Sequence, residues 1–175
     1  MNLLVLSDLH LETGPLPLVQ ARRKVGEGAD IVILAGDIGE GSRGLRWARA
    51  SFPTHAIIYV AGNHEYYRGV MEEVQSDMAA VARELDIHLL ENSSVEFGGV
   101  RFLGCTLWTD FELMGEERRE ELMDRAGVAM NDYRLIQRWR GEGPRYKQPK
   151  LQPEQTRQIH LGSVRWLAGA GRRCG

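Results

Sequence analysis

Three short polar motifs carry the chemistry in this sequence, and each of them follows an apolar run. Asp8 and His10 follow the first run, Asp37 follows the second, and Asn63 and His64 follow the third. Carboxylates, imidazoles and an amide oxygen are the ligands of a hard-to-borderline divalent metal ion. Side chains two residues apart in an extended segment point the same way, so Asp8 and His10 can approach one metal ion. Taken alone, the first motif is more often a strand-end aspartate beside a surface histidine.

The apolar runs are the strands that must position these motifs. Asn2–Leu6, Ile31–Ala35 and Ala56–Val60 are nearly continuous stretches of aliphatic residues, which is typical of strands buried on both faces. Their centres lie about 25–30 residues apart, which is the spacing of βαβ units. In a parallel sheet of this kind, ligands collect at the carboxyl ends of the strands. The sequence therefore predicts an α/β fold that gathers the motif residues at one edge.

The remaining elements follow from periodicity and turn residues. Val95–Phe97 and Val100–Leu107 flank Gly98-Gly99, which predicts a β-hairpin, and we expect it at the antiparallel edge of the sheet. Pro153–Ala168 is predicted as a final helix, and Phe111–Met130 is charged and helical in character. Three further helices are predicted by apolar stripes and stop signals, at Leu16–Val25, Arg43–Ser51 and Val70–Leu85.

Composition limits the class of protein. The chain has 175 residues, 43% of them hydrophobic, and we expect one domain. A net charge of −2 gives no general case for nucleic acid or membrane binding, although nucleic acid is not excluded as a substrate. Cys105 and Cys174 form neither a disulfide framework nor a zinc motif. No transmembrane run and no signal peptide are recognisable, so we expect no membrane association and a cytoplasmic location.

A basic segment between Arg134 and Lys150 has two interpretations. Its arginines and lysines are interleaved with Trp139 and Tyr146. A solvent-exposed loop is the favoured interpretation, and a basic lid over an anionic substrate is the alternative.

The motifs Asp-x-His, Gly-Asp and Gly-Asn-His-Glu, in this order, resemble those of the calcineurin-like metallophosphoesterases. The resemblance covers Asp8 to Glu65, and the aromatic pair Tyr66-Tyr67 is similar to that of small bacterial members. It implies the N-terminal part of the family's α/β sandwich, with parallel strands and an antiparallel hairpin edge.

The resemblance also implies a metal-dependent hydrolase of small phosphate esters. Asp8 and His10 would hold the first metal ion, Asp37 would bridge both ions, and Asn63 would bind the second. His64 would be catalytic, because it would hydrogen-bond the substrate phosphate beside Asn63 and protonate the leaving oxygen. Two divalent ions, Mn, Fe or Zn, would activate a bridging water as the attacking hydroxide.

Part of the family's ligand set has no counterpart here. Family members continue with a lone ligand histidine and a Gly-His-x-His turn, whereas only His88 and His160 follow His64 in this sequence. We therefore expect residues 1–175 to form a single, incomplete metallophosphoesterase domain with an incomplete second metal site. An uncovered sheet would favour self-association. The alternative function is a truncated, non-catalytic remnant that binds metal or phosphate or serves as an interaction scaffold.

Overall fold

The computed structural model describes residues 1–14, 28–141, 143–144 and 147–171, so the helix predicted at Leu16–Val25 lies outside the described residues. Its strands are β1 (Leu3–Leu6), β2 (Ile31–Ala35), β3 (Ala56–Val60), β4 (His88–Leu89), β5 (Ser93–Phe97) and β6 (Val100–Gly104). Its helices are α1 (Arg43–Ser51), α2 (Met71–Glu84), α3 (Arg119–Ala129), α4 (Asp132–Leu135) and α5 (Pro153–Gly171), with 3-10 turns at His64–Tyr66 and Glu116–Arg118. In the described part of the chain, no helix is long and apolar enough to cross a membrane.

The first four strands form one parallel sheet in the order β1-β2-β3-β4. Leu4 pairs with Val32, and Ile33 pairs with Ile58, so the three strands that precede the polar motifs are adjacent. This confirms the predicted α/β fold. Because all strands run the same way, their carboxyl ends and the motifs that follow them lie at one edge.

One face of this sheet carries the main core. Val32, Leu34, Ile57 and Tyr59 alternate along β2 and β3 and are completely buried. Removing such side chains from water contributes about 1.5–3 kcal/mol each. They belong to the same cluster as apolar residues of the two covering helices, namely Leu45 and Ala48 of α1 and Met78, Val81 and Ala82 of α2. The sheet and these helices form the rigid support of its polar edge.

The predicted hairpin covers the opposite face. Gly98 and Gly99 have φ of +56° and +79°, as a tight two-residue turn requires. β5 and β6 form a separate antiparallel pair instead of extending the parallel sheet. The physical reason is burial, because the inward side chains of the hairpin cover the second sheet face. Val95, Phe97 and Phe102 pack there on Ile31, Ile58 and Leu90.

The C-terminal helices form a second group of packed elements. α5 begins at Pro153 as predicted and continues to Gly171, three residues beyond the predicted end. The hydroxyl groups of Tyr133 and Thr156 lie 3.0 Å apart, and this bond joins α4 to α5. Both residues are buried, so α4 has a defined position next to the polar edge of the sheet.

Most described residues of the basic segment are solvent-exposed, as the favoured interpretation predicts, and the start of the segment is tied to α2. Arg138 Nε donates to Glu72 Oε1 at 2.6 Å. The backbone N–H of Met71 donates to the carbonyl of Gln137 at 2.8 Å. These contacts hold the start of the segment against the N-terminal end of α2.

Candidate metal centre

At the carboxyl ends of β1, β2 and β3, the side chains of His10, Asp37 and His64 lie close together, and Asp8 is not part of this cluster. One ligand atom from each of His10, Asp37 and His64 lies within 4.8 Å of the other two. Nε2 of His10 is 3.9 Å from Oδ1 of Asp8. The backbone N–H of His64 donates to Oδ1 of Asp37 at 2.9 Å, so the second and third motifs are in direct contact.

The backbone holds three of these residues in the left-handed region. Asp8, His10 and Asp37 have φ of +55°, +47° and +57°. A non-glycine residue in this region costs about 1–2 kcal/mol, and such strain concentrates at functional sites. Two hydrogen bonds between the loops maintain the conformation: Asp8 N–H donates to the Gly36 carbonyl at 3.1 Å, and His10 N–H donates to that of Asp37 at 3.0 Å.

Gly62 permits the closest approach in the site. An added Cβ at this position would collide with the carboxylate of Asp37 and lie 2.7 Å from its backbone nitrogen. Only glycine at position 62, in the third motif, leaves room for Asp37 of the second motif.

Glu65 fixes the loop that carries Asp37. Its side chain is completely buried. One carboxylate oxygen accepts from the N–H of Ile38 at 2.9 Å and from the hydroxyl of Tyr59 at 2.8 Å. The other accepts from the N–H of Gly62 at 2.8 Å and of Asp37 at 3.1 Å. Burial, reinforced by the charge of Glu65, raises the pKa of Tyr59 well above its usual value, which keeps this hydroxyl a donor.

Glu12 orients both histidines. Its Oε1 lies 2.8 Å from Nδ1 of His64 and 3.2 Å from Nδ1 of His10. The two Nδ1 atoms also lie 3.2 Å from each other. An ionised carboxylate only accepts, so at the shorter contact Nδ1 of His64 carries the hydrogen, and its Nε2 points elsewhere. Burial alone would raise the pKa of Glu12, but hydrogen bonds from the backbone, His64 and His10 offset it and hold the pKa below its ordinary value.

Asn63 uses its amide nitrogen within the protein. Nδ2 donates to Oδ1 of Asp132 at 2.7 Å and to the hydroxyl of Tyr67 at 3.2 Å. The ring of Tyr67 stacks on His64 with centroids 4.2 Å apart. The amide oxygen of Asn63 remains available to a ligand.

The donor set fits a divalent metal ion. Carboxylate oxygens of Asp8 and Asp37, an imidazole nitrogen of His10 and the amide oxygen of Asn63 are the mixed N/O ligands that Mn, Fe and Zn accept. His64 also lies within ligand range of His10 and Asp37, although the resemblance assigns it a proton-transfer role.

A family model described as calcineurin-like phosphoesterase matches residues 1–162. The chain belongs to the calcineurin-like phosphoesterase family. The match includes the three motifs, the hairpin and the N-terminal half of α5, and so extends well beyond the Asp8–Glu65 region that carries the resemblance in the sequence.

Two individual proteins are similar to this phosphoesterase family member. An uncharacterized protein of Acanthamoeba polyphaga mimivirus is 30% identical over 88 residues, which are 47% of this chain and 29% of the viral protein. The crystal structure of phosphopantetheinyl hydrolase from Mycobacterium tuberculosis superimposes with a TM-score of 0.63 at 16% identity. That superposition covers 98% of this chain and 62% of the hydrolase chain, and it shows a shared fold. The chain thus spans less than two thirds of either protein.

A cavity adjoins the candidate metal centre. Its volume is about 460 Å³, and Asn63, Cys105, Trp108 and Asp132 contribute to its wall. Burial raises the pKa of the Cys105 thiol, so this cysteine is a wall residue and not an activated nucleophile.

Sequence reasoning identified the motif residues but missed the side chains that orient them. Glu12 continues the alternation of Asp8 and His10, and this period of two could have identified it. Asp132 lies 69 residues after Asn63 in the sequence, beyond helix α3, and belongs to no recognisable motif.

Proposed function

We propose that this chain contains the catalytic centre of a metal-dependent hydrolase of phosphate esters that uses two divalent ions. Asp8 and His10 would hold the first ion, Asp37 would bridge both, and Asn63 would bind the second through its amide oxygen. One observation carries the proposal: in a member of the phosphoesterase family, ligand atoms of His10, Asp37 and His64 converge within 4.8 Å.

Each side chain around the proposed ions has a separate role. When bound, the two ions would activate a water molecule for attack on phosphorus and neutralise charge on the phosphate oxygens. His64 donates Nδ1–H to Glu12 at 2.8 Å, and in the imidazolium form its Nε2–H would hydrogen-bond the phosphate and pass its proton to the leaving oxygen. The stacked ring of Tyr67 limits rotation of His64 about its Cβ–Cγ bond.

The adjoining cavity supports a small organic phosphate ester as the substrate. Its volume of about 460 Å³ lies in the usual range for small-molecule sites. Asn63 lies in its wall, so an ester whose phosphate contacts Asn63 and His64 would extend its organic group towards Trp108 and Cys105.

The test is hydrolysis of p-nitrophenyl phosphate and bis-p-nitrophenyl phosphate by the purified chain with Mn²⁺ or Zn²⁺. We expect EDTA to abolish turnover and added metal to restore it. His64→Ala should lower kcat by about 10²–10⁴-fold without lowering metal content. The matched control is His88→Ala, because His88 is exposed on β4 and packs on Phe97. Turnover that survives EDTA, or that His64→Ala leaves unchanged, would contradict the proposal.

A second candidate is a non-catalytic metal-binding remnant of the fold, and the later histidines favour it. Nδ1 of His160 donates to the Trp108 carbonyl at 2.8 Å, and Nε2 lies 3.6 Å from Asp110. Within the described residues, neither His160 nor the exposed His88 joins the ligand cluster. One bound ion per chain together with no hydrolysis of either ester would support this candidate.

A further inference from the structure

Asp132 is a buried carboxylate beside the candidate metal centre. It begins α4 and is 3% exposed. A single oxygen, Oδ1, accepts from Asn63 Nδ2 at 2.7 Å and from the hydroxyl of Tyr67 at 2.8 Å. Hydrogen bonds to an ionised acceptor are about twice as strong as neutral ones, so this oxygen controls both donors.

The bond to Asn63 determines which end of its amide is free. If the amide were reversed, its oxygen would face the carboxylate of Asp132, and two acceptors would be in contact. The NH₂ group of Asn63 therefore faces Asp132, and only the Oδ1 atom of Asn63 is available to a cation.

We propose that Asp132 is a positioning residue that holds the Asn63 amide with its oxygen, and not its NH₂ group, available to a metal ion. This inference rests on the proposed function, because it takes Asn63 as a metal ligand. It assigns a role in the site to the segment after α3, which contributes none of the motif residues.

The same oxygen also controls the aromatic contact on His64. Tyr67 donates its hydroxyl to Asp132, and its ring lies on the imidazole of His64 at 4.2 Å and 30°. Asp132 thus acts on His64, the candidate proton donor, through Tyr67. It contacts Asn63, the candidate metal ligand, directly.

Asp132 makes its side-chain hydrogen bonds with the neutral groups of Asn63 and Tyr67. Among the described residues, no Lys, Arg or His nitrogen lies within 4.0 Å of its carboxylate. A buried carboxylate without a cation is unfavourable, and bound divalent ions near Asn63 would offset its charge.

Packing of the C-terminal region sets the position of this carboxylate. Ile136 at the end of α4 is completely buried, and Tyr133 bonds Thr156 of α5 at 3.0 Å. The orientation of Asn63 therefore depends on how α4 packs against α5.

The experiment measures Mn²⁺ affinity by calorimetry and the absorption spectrum of the Co²⁺-loaded chain. Asp132→Ala removes the acceptor, and we expect Mn²⁺ affinity to fall about 10–100-fold and the Co²⁺ spectrum to change. Asp132→Asn offers an NH₂ group as well as an oxygen, so the Asn63 amide can reverse, and we expect Mn²⁺ affinity to fall by more than about threefold. Tyr67→Phe removes the 3.2 Å bond from Asn63 to the Tyr67 hydroxyl but keeps the bond from Asn63 to Asp132, and it should stay within about threefold of wild type.

The control is Asp124→Ala, the same substitution at an exposed aspartate of α3, and it should leave affinity and spectrum unchanged. Wild-type affinity in Asp132→Ala would overturn the inference, as would wild-type affinity in Asp132→Asn. If Asp132→Ala does not fold, Asp132→Asn decides the outcome alone. A wild-type chain that binds no Mn²⁺ would overturn it as well. Failure of ester hydrolysis with these affinities in place would overturn only the proposed function.

Discussion

Nδ1 of His64 lies 2.8 Å from Oε1 of Glu12, a residue 52 positions earlier in the chain. The same oxygen lies 3.2 Å from Nδ1 of His10. A single carboxylate therefore orients the candidate proton donor and a candidate metal ligand. Carboxylates that accept the second ring hydrogen of a ligand histidine fix its tautomer and its orientation.

Removal of Glu12 should impair the chemical step. We expect Glu12→Ala to lower kcat for bis-p-nitrophenyl phosphate by about 10–100-fold, because both imidazoles lose the acceptor that orients them. Glu12→Gln keeps an accepting oxygen and should lose less. Glu96→Gln, at an exposed position of β5, is the matched control. A Glu12→Ala variant with wild-type kcat would show that His64 needs no such support.

Asp37 should matter more to metal binding than any other carboxylate of the site. Asp37→Asn preserves shape but removes the negative charge proposed to lie between two cations, so we expect loss of divalent binding in metal analysis of the purified variant. Asp77→Asn, an exposed position on α2, should keep the wild-type metal content. Equal stoichiometry and affinity in wild type and Asp37→Asn would refute the bridging role.

Gly62 and Gly162 should respond in opposite directions to the same substitution. Gly62→Ala places a Cβ against Asp37, and we expect a lower thermal unfolding midpoint and loss of metal binding. Gly162 lies within α5 with nothing within 4 Å of an added Cβ, so Gly162→Ala should stabilise the chain by about 0.5–1 kcal/mol. Thermal unfolding of both variants checks this, and a tolerated Gly62→Ala would mean that the Asp37 loop can move.

Glu112 should contribute stability that depends on pH. Hydrogen bonds from Arg119 of α3 and Arg157 of α5 hold the pKa of Glu112 below its ordinary value of 4.5. A depressed carboxyl pKa stabilises the folded state above the unfolded pKa, and this stability is lost as pH falls through the folded pKa.

Thermal unfolding from neutral pH to about pH 3 tests the role of Glu112. Glu112→Gln should unfold at a lower temperature than wild type at neutral pH, and the difference should shrink in acid. Glu120→Gln, at an exposed position of α3, should show no such pH-dependent difference. A constant difference across this range would rule out the charge of Glu112 as its cause.

The sequence by itself determined the parallel sheet and the cluster at its edge. Residues such as Val32 and Ile57 lie in continuous apolar runs, and burial on both faces leaves such runs few alternatives to a central parallel strand. Once the strands are parallel and adjacent, Asp8, Asp37 and Asn63 must follow them at one edge. Local pattern was sufficient because each motif directly follows its own strand.

Only the tertiary structure decided how the side chains in this cluster are oriented. The position of the hairpin depends on the packing of Val95 and Phe97 against the uncovered face of the parallel sheet. This is a contact between separate elements, and neither strand of the hairpin determines it alone. The partner of Asn63 is Asp132, which reaches it only because α4 packs against α5. The hydrogen bonds of His64 with Glu12 and of Asn63 with Asp132 join residues that are 52 and 69 positions apart in the sequence. Such bonds depend on packing, and no local periodicity predicts them.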